Sequence, residues 1–216
     1  MIYLISDLHG DENFKGFNEY LEKATKDDLL IILGDVGLNF DNSEKTKKFT
    51  EYFLSANKRV AILDGNHDNF EYLNSFPLEK WKGGVVSRLT ENVLHLKRGN
   101  TYEIQGKSFF VFGGCKSSPK WKDAGLWHDG EEPSKEELTL AYENLKKANY
   151  KVDYVLTHKY EQTPPRGTVS EDLQKLTSFI EENVKYKRWY AGHWHKNQIL
   201  DGKHLFVYDE LIKIDE

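Results

Sequence analysis

Short runs rich in Ile, Leu, Val, Phe and Tyr recur along this chain, at residues 2–6 (IYLIS), 29–33 (LLIIL), 60–63 (VAIL), 108–113 (SFFVFG), 152–157 (VDYVLT), 188–191 (RWYA) and 204–208 (HLFVY). Several are continuous apolar runs, which suit strands covered on both faces. Helical patterns lie between them at residues 13–24, 43–57, 69–75, 134–148 and 170–184. The fourth opens on Ser134 and Glu137, the spacing of a capping box. This alternation predicts an α/β fold with helices packed outside one or two sheets. Residues 85–112 show no helical pattern and are expected to add a hairpin-like strand pair. Residues 113–133 (GGCKSSPKWKDAGLWHDGEEP) carry no regular pattern. In a compact domain such a segment is either a lid or substrate loop, or a solvated insertion.

The 216 residues allow one large domain or two small ones, and a single domain over 1–216 is the expectation. Hydrophobic residues make up 38% and charged residues 30%, the profile of a soluble globular chain. The formal net charge is −5 and no basic stripe stands out, which argues against a general nucleic-acid binder. An anionic substrate must therefore be drawn in by local charge. Cys115 is the single cysteine, so an internal disulfide is excluded and a reducing compartment fits. The apolar stretch 2–5 is too short for a secretion signal or a membrane span, and Asp7 lies just beyond it. A cytoplasmic location is expected.

The residues just past the strands are more telling. Residues 2–6 run into Asp7-Leu8-His9-Gly10, 29–33 into Gly34-Asp35, and 60–63 into Asp64-Gly65-Asn66-His67-Asp68. Residues 152–157 run into His158, and 188–191 into Gly192-His193-Trp194-His195. Ligands of α/β folds gather at the carboxyl ends of strands, so these five ends can share one crevice. The side chains collected there are Asp7, His9, Asp35, Asn66, His67, His158, His193 and His195. In extended backbone, Asp-x-His and His-x-His would each point two donors to one side. Oxygen and imidazole donors without a thiolate suit Mn, Fe or Zn ions better than a structural zinc cage. Seven donors, leaving His67 aside, are too many for one tetrahedral ion and suit two ions sharing a carboxylate. Each fragment alone also has a plain reading, as a turn or a structural histidine.

The ordered series Asp-x-His, Gly-Asp, Gly-Asn-His-Asp, His and Gly-His-x-His resembles the calcineurin-like metallophosphoesterases, in a compact bacterial or phage-type form, over residues 7–195. The resemblance implies a four-layer α-β-β-α sandwich of two mixed sheets flanked by helices. It also implies a dinuclear transition-metal centre. One ion would take Asp7, His9, Asp35 and His195, and the other Asp35, Asn66, His158 and His193. Asp35 and a water or hydroxide would bridge them, and in-line attack of that hydroxide would hydrolyse a phosphomonoester or phosphodiester. His67 would be the general acid for the leaving group, or else an eighth ligand or a supporting residue.

The sequence departs from the protein phosphatases of that family after Gly-Asp. It reads GDVGLNF, with Leu38 and Asn39 in place of their Asp and phosphate-clamping Arg. A small-molecule phosphoester is therefore expected in preference to a protein. A nuclease shares the metal chemistry, but the acidic balance disfavours it. A non-catalytic scaffold would tend to have lost ligand histidines, and here all are present. Asp68 could orient His67. His95 and His204 read as structural or exposed, and His128, beside Trp127, as a substrate contact or a solvated loop residue. Lys116, Lys120, Lys122, Arg88, Arg98 and Arg166 could each meet a phosphate or simply be surface charges.

Overall fold

Each of the seven apolar runs forms a strand and each of the five helical patterns a helix. The structure, a computed structural model, describes residues 1–41, 43–124, 126–161 and 168–214. The chain begins as a β-α repeat of β1 (Ile2–Ile5), α1 (Lys15–Lys23), β2 (Leu29–Ile32), α2 (Glu44–Leu54), β3 (Val60–Ile62) and α3 (Phe70–Asn74). An all-strand stretch comes next, with β4 (Leu78–Trp81), β5 (Gly84–Arg88), β6 (Val93–Leu96), β7 (Asn100–Ile104) and β8 (Lys107–Phe112). After it come α4 (Pro119–Asp123), a 3-10 turn (Asp129–Glu131), α5 (Lys135–Lys147), β9 (Tyr154–Thr157) and α6 (Glu171–Asn183). The last strands are β10 (Arg188–Ala191), β11 (Gln198–Ile199), β12 (His204–Phe206) and β13 (Ile212–Lys213).

The helices start where the sequence provides caps. Ser43, Asn69 and Ser170 each accept a backbone N–H in the first turn of α2, α3 and α6. At α5 the capping box is reciprocal. The Ser134 hydroxyl accepts from the Glu137 N–H at 3.1 Å, and the Glu137 carboxylate from the Ser134 N–H at 2.8 Å.

Two sheets form, in the orders β13-β1-β2-β3-β6-β5-β4 and β11-β12-β10-β9-β8-β7. The inner strands β1, β2, β3 and β6 are parallel, as are β8, β9, β10 and β12, and antiparallel strands finish the edges. Alternation along each strand divides the core into layers. Leu4, Ile31 and Ala61 of the first sheet meet Phe109, Val111, Tyr154 and Leu156 of the second. On the outer face of the first sheet, Ile5, Leu30 and Ile32 pack against Phe17, Phe49 and Phe53 from α1 and α2. On the outer face of the second, Phe110, Phe112 and Trp189 pack against α5 and α6 through Leu145, Leu173, Leu176 and Ile180. Each such side chain contributes about 1.5–3 kcal/mol on burial. The result is the expected α-β-β-α sandwich, and the chain passes from one sheet to the other between β6 and β7.

Two segments differ from the sequence reading. Residues 84–112 supply four strands rather than one pair, because the turn at Thr90 reverses the chain. The Thr90 hydroxyl accepts the Val93 N–H at 3.1 Å and closes that turn. Residues 113–133 contain one short helix and a 3-10 turn, not wholly irregular backbone. Among the described residues no helix is long and apolar enough to cross a membrane.

Candidate metal centre

The strand ends that stood out in sequence meet in space. β1, β2 and β3 of the first sheet, with β9 and β10 of the second, bring their carboxyl-end residues into one crevice. The donor atoms of Asp7, His9 and His195 lie within 4.8 Å of one another, as do those of Asp7, Asp35 and His158. His9 Nε2 is 3.0 Å from His195 Nε2, and His195 Nε2 is 3.4 Å from Asp7 Oδ1. Asp35 reaches both sides of the crevice, with Oδ2 3.6 Å from His9 Nε2 and Oδ1 3.4 Å from His158 Nε2. His158 Nε2 is also 3.2 Å from Asn66 Oδ1.

The two-residue spacing does not act through extended backbone as the sequence suggested. Asp7 and His9 have φ of 60° and 49°, and His193 and His195 have 69° and 48°. Asp35, at 52°, is also left-handed. These donors sit in tight turns past the strand ends, and the turns, not the pleat, aim them together. L-residues adopt this region at a cost of about 1–2 kcal/mol each, and such conformations concentrate at functional sites.

The arrangement fits metal ions. Donors sharing an ion at about 2.0–2.2 Å stand roughly 2.9–3.6 Å apart, which matches the separations above. Among the described residues Asp7 Oδ1 is buried without a hydrogen bond, with the His195 and His9 ring nitrogens at 3.4 and 3.9 Å, a costly state for a carboxylate oxygen that a cation between them would relieve. The family to which the sequence points is metal-dependent, and these residues could hold its ions.

Neighbouring groups fix each donor. His158 Nδ1–H donates to the Leu33 carbonyl at 2.7 Å, which leaves Nε2 as the nitrogen that would meet an ion once its proton is displaced. Asn66 Nδ2 donates to the Ser117 hydroxyl at 3.0 Å, turning the amide oxygen toward His158, and the Ser117 N–H is held by Glu131 Oε2 at 2.8 Å. The second Asp7 oxygen accepts the His193 N–H at 2.8 Å, and the His195 ring stacks on Tyr208. At Gly65, any side chain would collide with the Asp35 carboxylate. Asp68 does not orient His67. It accepts the N–H groups of Asp35, Gly37 and Gly65 at 2.8–2.9 Å and so shapes two of the loops.

Charge is balanced locally, as the weakly acidic surface required. Burial works to lower His158, but Asp35, together with Asp7 and the Leu33 carbonyl, overrides it and lifts the ring to about 9. Burial would raise Asp35, yet His158, with His9 and His67, holds it well below the usual carboxylate range. Burial lowers His9 and His67, and takes His193 down to about 3.

His67 lines a cavity of about 400 Å³, together with His9, Phe40, Lys45, Thr46, Trp121 and His195 among others. Its ring packs edge-on to Trp121 and against Phe40, with centroids 4.7 and 5.3 Å away. Its backbone N–H donates to Asp35 Oδ1 at 2.7 Å.

Most of the basic residues weighed in sequence lie elsewhere or are engaged. Arg98 is buried, with Nε 2.6 Å from Asp64 Oδ2, and it also donates to the Gly130 carbonyl at 2.8 Å. Arg88 pairs with Glu79, and Lys116 with Glu132. Lys120 and Lys122 lie over Trp121 and Trp127. Arg166 falls outside the described residues. His95 is buried against Asp64, and His204 lies between Glu181 and Asp201, so both are structural. His128 is half-buried beside Phe40 and Phe70, with a buried Nε2 that has no partner. It is not a solvated loop residue.

Four contributors escaped the sequence reading: Cys115, Ser117, Trp121 and Glu131. All come from residues 113–133, the segment after β8. That strand also ends at the crevice, pairing Phe112 with Thr157 of β9, but it ends on Gly113-Gly114-Cys115, with no carboxylate or imidazole to mark it. The signal was topological. Cys115 Sγ lies 3.7 Å from His193 Nδ1, and burial pushes the thiol well up.

Among curated proteins no sequence matches this chain. A solved structure covering 97% of this chain and 90% of its own is 13% identical with a TM-score of 0.49. A protein of unknown function from Aquifex aeolicus covers 72% of this chain and 76% of its own, at 18% identity and a TM-score of 0.36. The family model described as calcineurin-like phosphoesterase matches residues 1–197, a span that includes every donor named above. On that match, with the four-layer sandwich and the donors gathered at its strand ends, the chain belongs to the calcineurin-like phosphoesterases.

Proposed function

We propose that this protein is a dinuclear metal-dependent phosphoesterase that hydrolyses small phosphomonoesters or phosphodiesters in a reducing, cytoplasmic setting. The observation that carries this reading is Asp35, whose two carboxylate oxygens face different histidines, His9 and His158, on opposite sides of the crevice. Asp7, His9, Asp35 and His195 would hold one ion, and Asp35, Asn66, His158 and His193 the other. When bound, two cations neutralise phosphoryl oxygens and lower the pKa of water; Mn, Fe and Zn all suit these donors.

The chain's own residues do the rest. The turns after β1, β2 and β10 fix the donors before substrate arrives, so little reorganisation is needed at the moment of reaction. His158, held by Leu33, keeps its Nε2 aimed at Asp35. His67 lines the cavity beside His9 and His195, where its ring N–H can pass a proton to the departing oxygen. Phe40 and Trp121 exclude water on the leaving-group side, Trp121 being the contribution of the segment after β8 to that wall.

The test is hydrolysis of aryl phosphate monoesters and diesters with added Mn²⁺, Zn²⁺ or Fe²⁺, alongside metal analysis. Two ions per chain and turnover abolished by Asp35→Asn are expected. Absence of turnover with all three metals from mildly acidic to alkaline pH would sink the proposal. His67→Asn should keep both ions and lose most rate on poor leaving groups. Equal losses across leaving groups would remove the acid role.

A further inference from the structure

We propose that Cys115 is a ligand of the ion held by His158 and His193, adding a thiolate to a centre otherwise built from oxygen and imidazole. The inference rests on the two-ion reading above. Cys115, His158 and His193 place their donor atoms within 4.8 Å of one another. The sulfur is 3.7 Å from His193 Nδ1 and 3.8 Å from Nε2. A thiolate and an imidazole sharing one ion, with bonds of about 2.3 and 2.0–2.1 Å at angles of about 90–120°, stand roughly 3.1–3.8 Å apart. The fold brings them there, because β8 and β9 are parallel neighbours that end on the pair Phe112 and Thr157, and Cys115 and His158 follow just past those ends.

A second observation points the same way. The donor group of Asp7, Asp35 and His158 overlaps this one through His158, and it contains the buried Asp7 Oδ1, which among the described residues makes no hydrogen bond and has His195 and His9 nitrogens 3.4 and 3.9 Å away. The sulfur thus borders a crevice that already holds a buried carboxylate oxygen without a hydrogen bond. Among the described residues the sulfur's other polar neighbour is the Lys116 carbonyl at 3.6 Å, which can take the S–H proton's hydrogen bond in the thiol form. Cys115 is fully buried, so solvent oxidants do not reach it freely. As a ligand the sulfur would be a thiolate, its proton given up to solvent as the ion enters.

The consequence is selectivity. A soft sulfur donor sharpens the preference for Zn²⁺ or Co²⁺ over Mn²⁺ at that position, whereas Asp7, His9, Asp35 and His195, with no thiolate, discriminate less. The two positions would then differ in the metal they retain.

Co²⁺ alone is the probe, added to the metal-depleted full-length protein while near-ultraviolet absorption and bound metal are followed. Since the chain has one cysteine, a sulfur-to-cobalt charge-transfer band has one source. The band is expected in the wild type with two Co²⁺ bound, and should be lost in Cys115→Ala and Cys115→Ser. These variants should also lose about 10–100-fold in Zn²⁺ affinity at one position, with Mn²⁺ affinity nearly unchanged. Two bound Co²⁺ without the band in the wild type would overturn thiolate ligation and leave the phosphoesterase reading standing. Failure to bind Co²⁺ at all would overturn both. The wild-type spectrum decides the matter even if a variant fails to fold.

Discussion

Replacing Arg98 by Met removes a buried cation from a carboxylate that sits two residues before Asn66. In the native protein Arg98 Nε and Nη2 reach Asp64 Oδ2 at 2.6 and 2.5 Å, and both residues are almost fully buried. The same guanidinium donates to the carbonyls of Gly130 and Glu132 and to Glu137. Met fills similar volume, so the loss is mainly electrostatic: Asp64 keeps only His95, at 2.9 Å, as a side-chain partner. Breaking a buried ion pair from one side costs about 3–5 kcal/mol. For a chain of this size each kcal/mol lowers Tm by about 2–4 °C, so a drop of about 6–20 °C is expected. Urea denaturation should show a lower midpoint at an unchanged slope, and Asp64→Asn/Arg98→Met should cost less than the sum of the single changes. The pH dependence arises from Asp64. Burial raises its pKa, but Arg98, helped by His95, more than reverses this and holds it well below the usual range. A depressed carboxylate stabilises the fold above its unfolded pKa of about 4, and that stabilisation is lost as pH falls below it. In the variant the unpaired Asp64 rises instead, and protonation relieves it. The difference between wild type and variant should therefore be largest near pH 7 and shrink in acid. A loss under about 1 kcal/mol at pH 7, or strict additivity with Asp64→Asn, would refute the reasoning.

Three further outcomes can be checked. Ser117→Ala, which frees the Asn66 amide, should lower metal affinity by about 10-fold or more with little change in urea midpoint, measured by competition with a chelating dye. Trp121→Ala should reduce kcat/KM for aryl phosphates by about 2–10-fold relative to alkyl phosphates, the worth of one aromatic contact; equal losses on both would place the leaving group elsewhere. His204 is lowered by burial but raised on balance by Glu181 and Asp201. Its contribution should be complete below about pH 6.5 and fade as pH climbs through the raised value, so His204→Gln should cost stability at pH 6 and little in alkali.

The four-layer fold was legible because each strand is a local apolar run and each helix begins at a local cap. That Asp7, His9, Asp35, Asn66, His158, His193 and His195 gather in one crevice was legible for a related reason: residue type and position at a strand end are both local properties. What stayed hidden depends on distance or on conformation. Arg98 read as a free cation because Asp64 is 34 residues away, on the far side of the crossing between sheets. Ser117 and Glu131 lie in a segment without period, where nothing in the sequence ties them to Asn66. The left-handed turns at Asp7 and His9 could not be read either, since Asp and His do not demand that conformation as glycine does. Cys115 stood out in sequence only as a clue to redox environment, because the strand before it ends in glycines.

The left-handed backbone at Asp7, His9, Asp35, His193 and His195 also has an evolutionary reading. Together these five conformations work against the folded state by about 5–10 kcal/mol, a sum that glycine at the same positions would largely relieve. A lineage selected only for folded yield would drift toward glycine at these turns and keep the sandwich while losing the donors. A copy of this chain released from phosphoester chemistry should therefore shed its histidines before it sheds its strands.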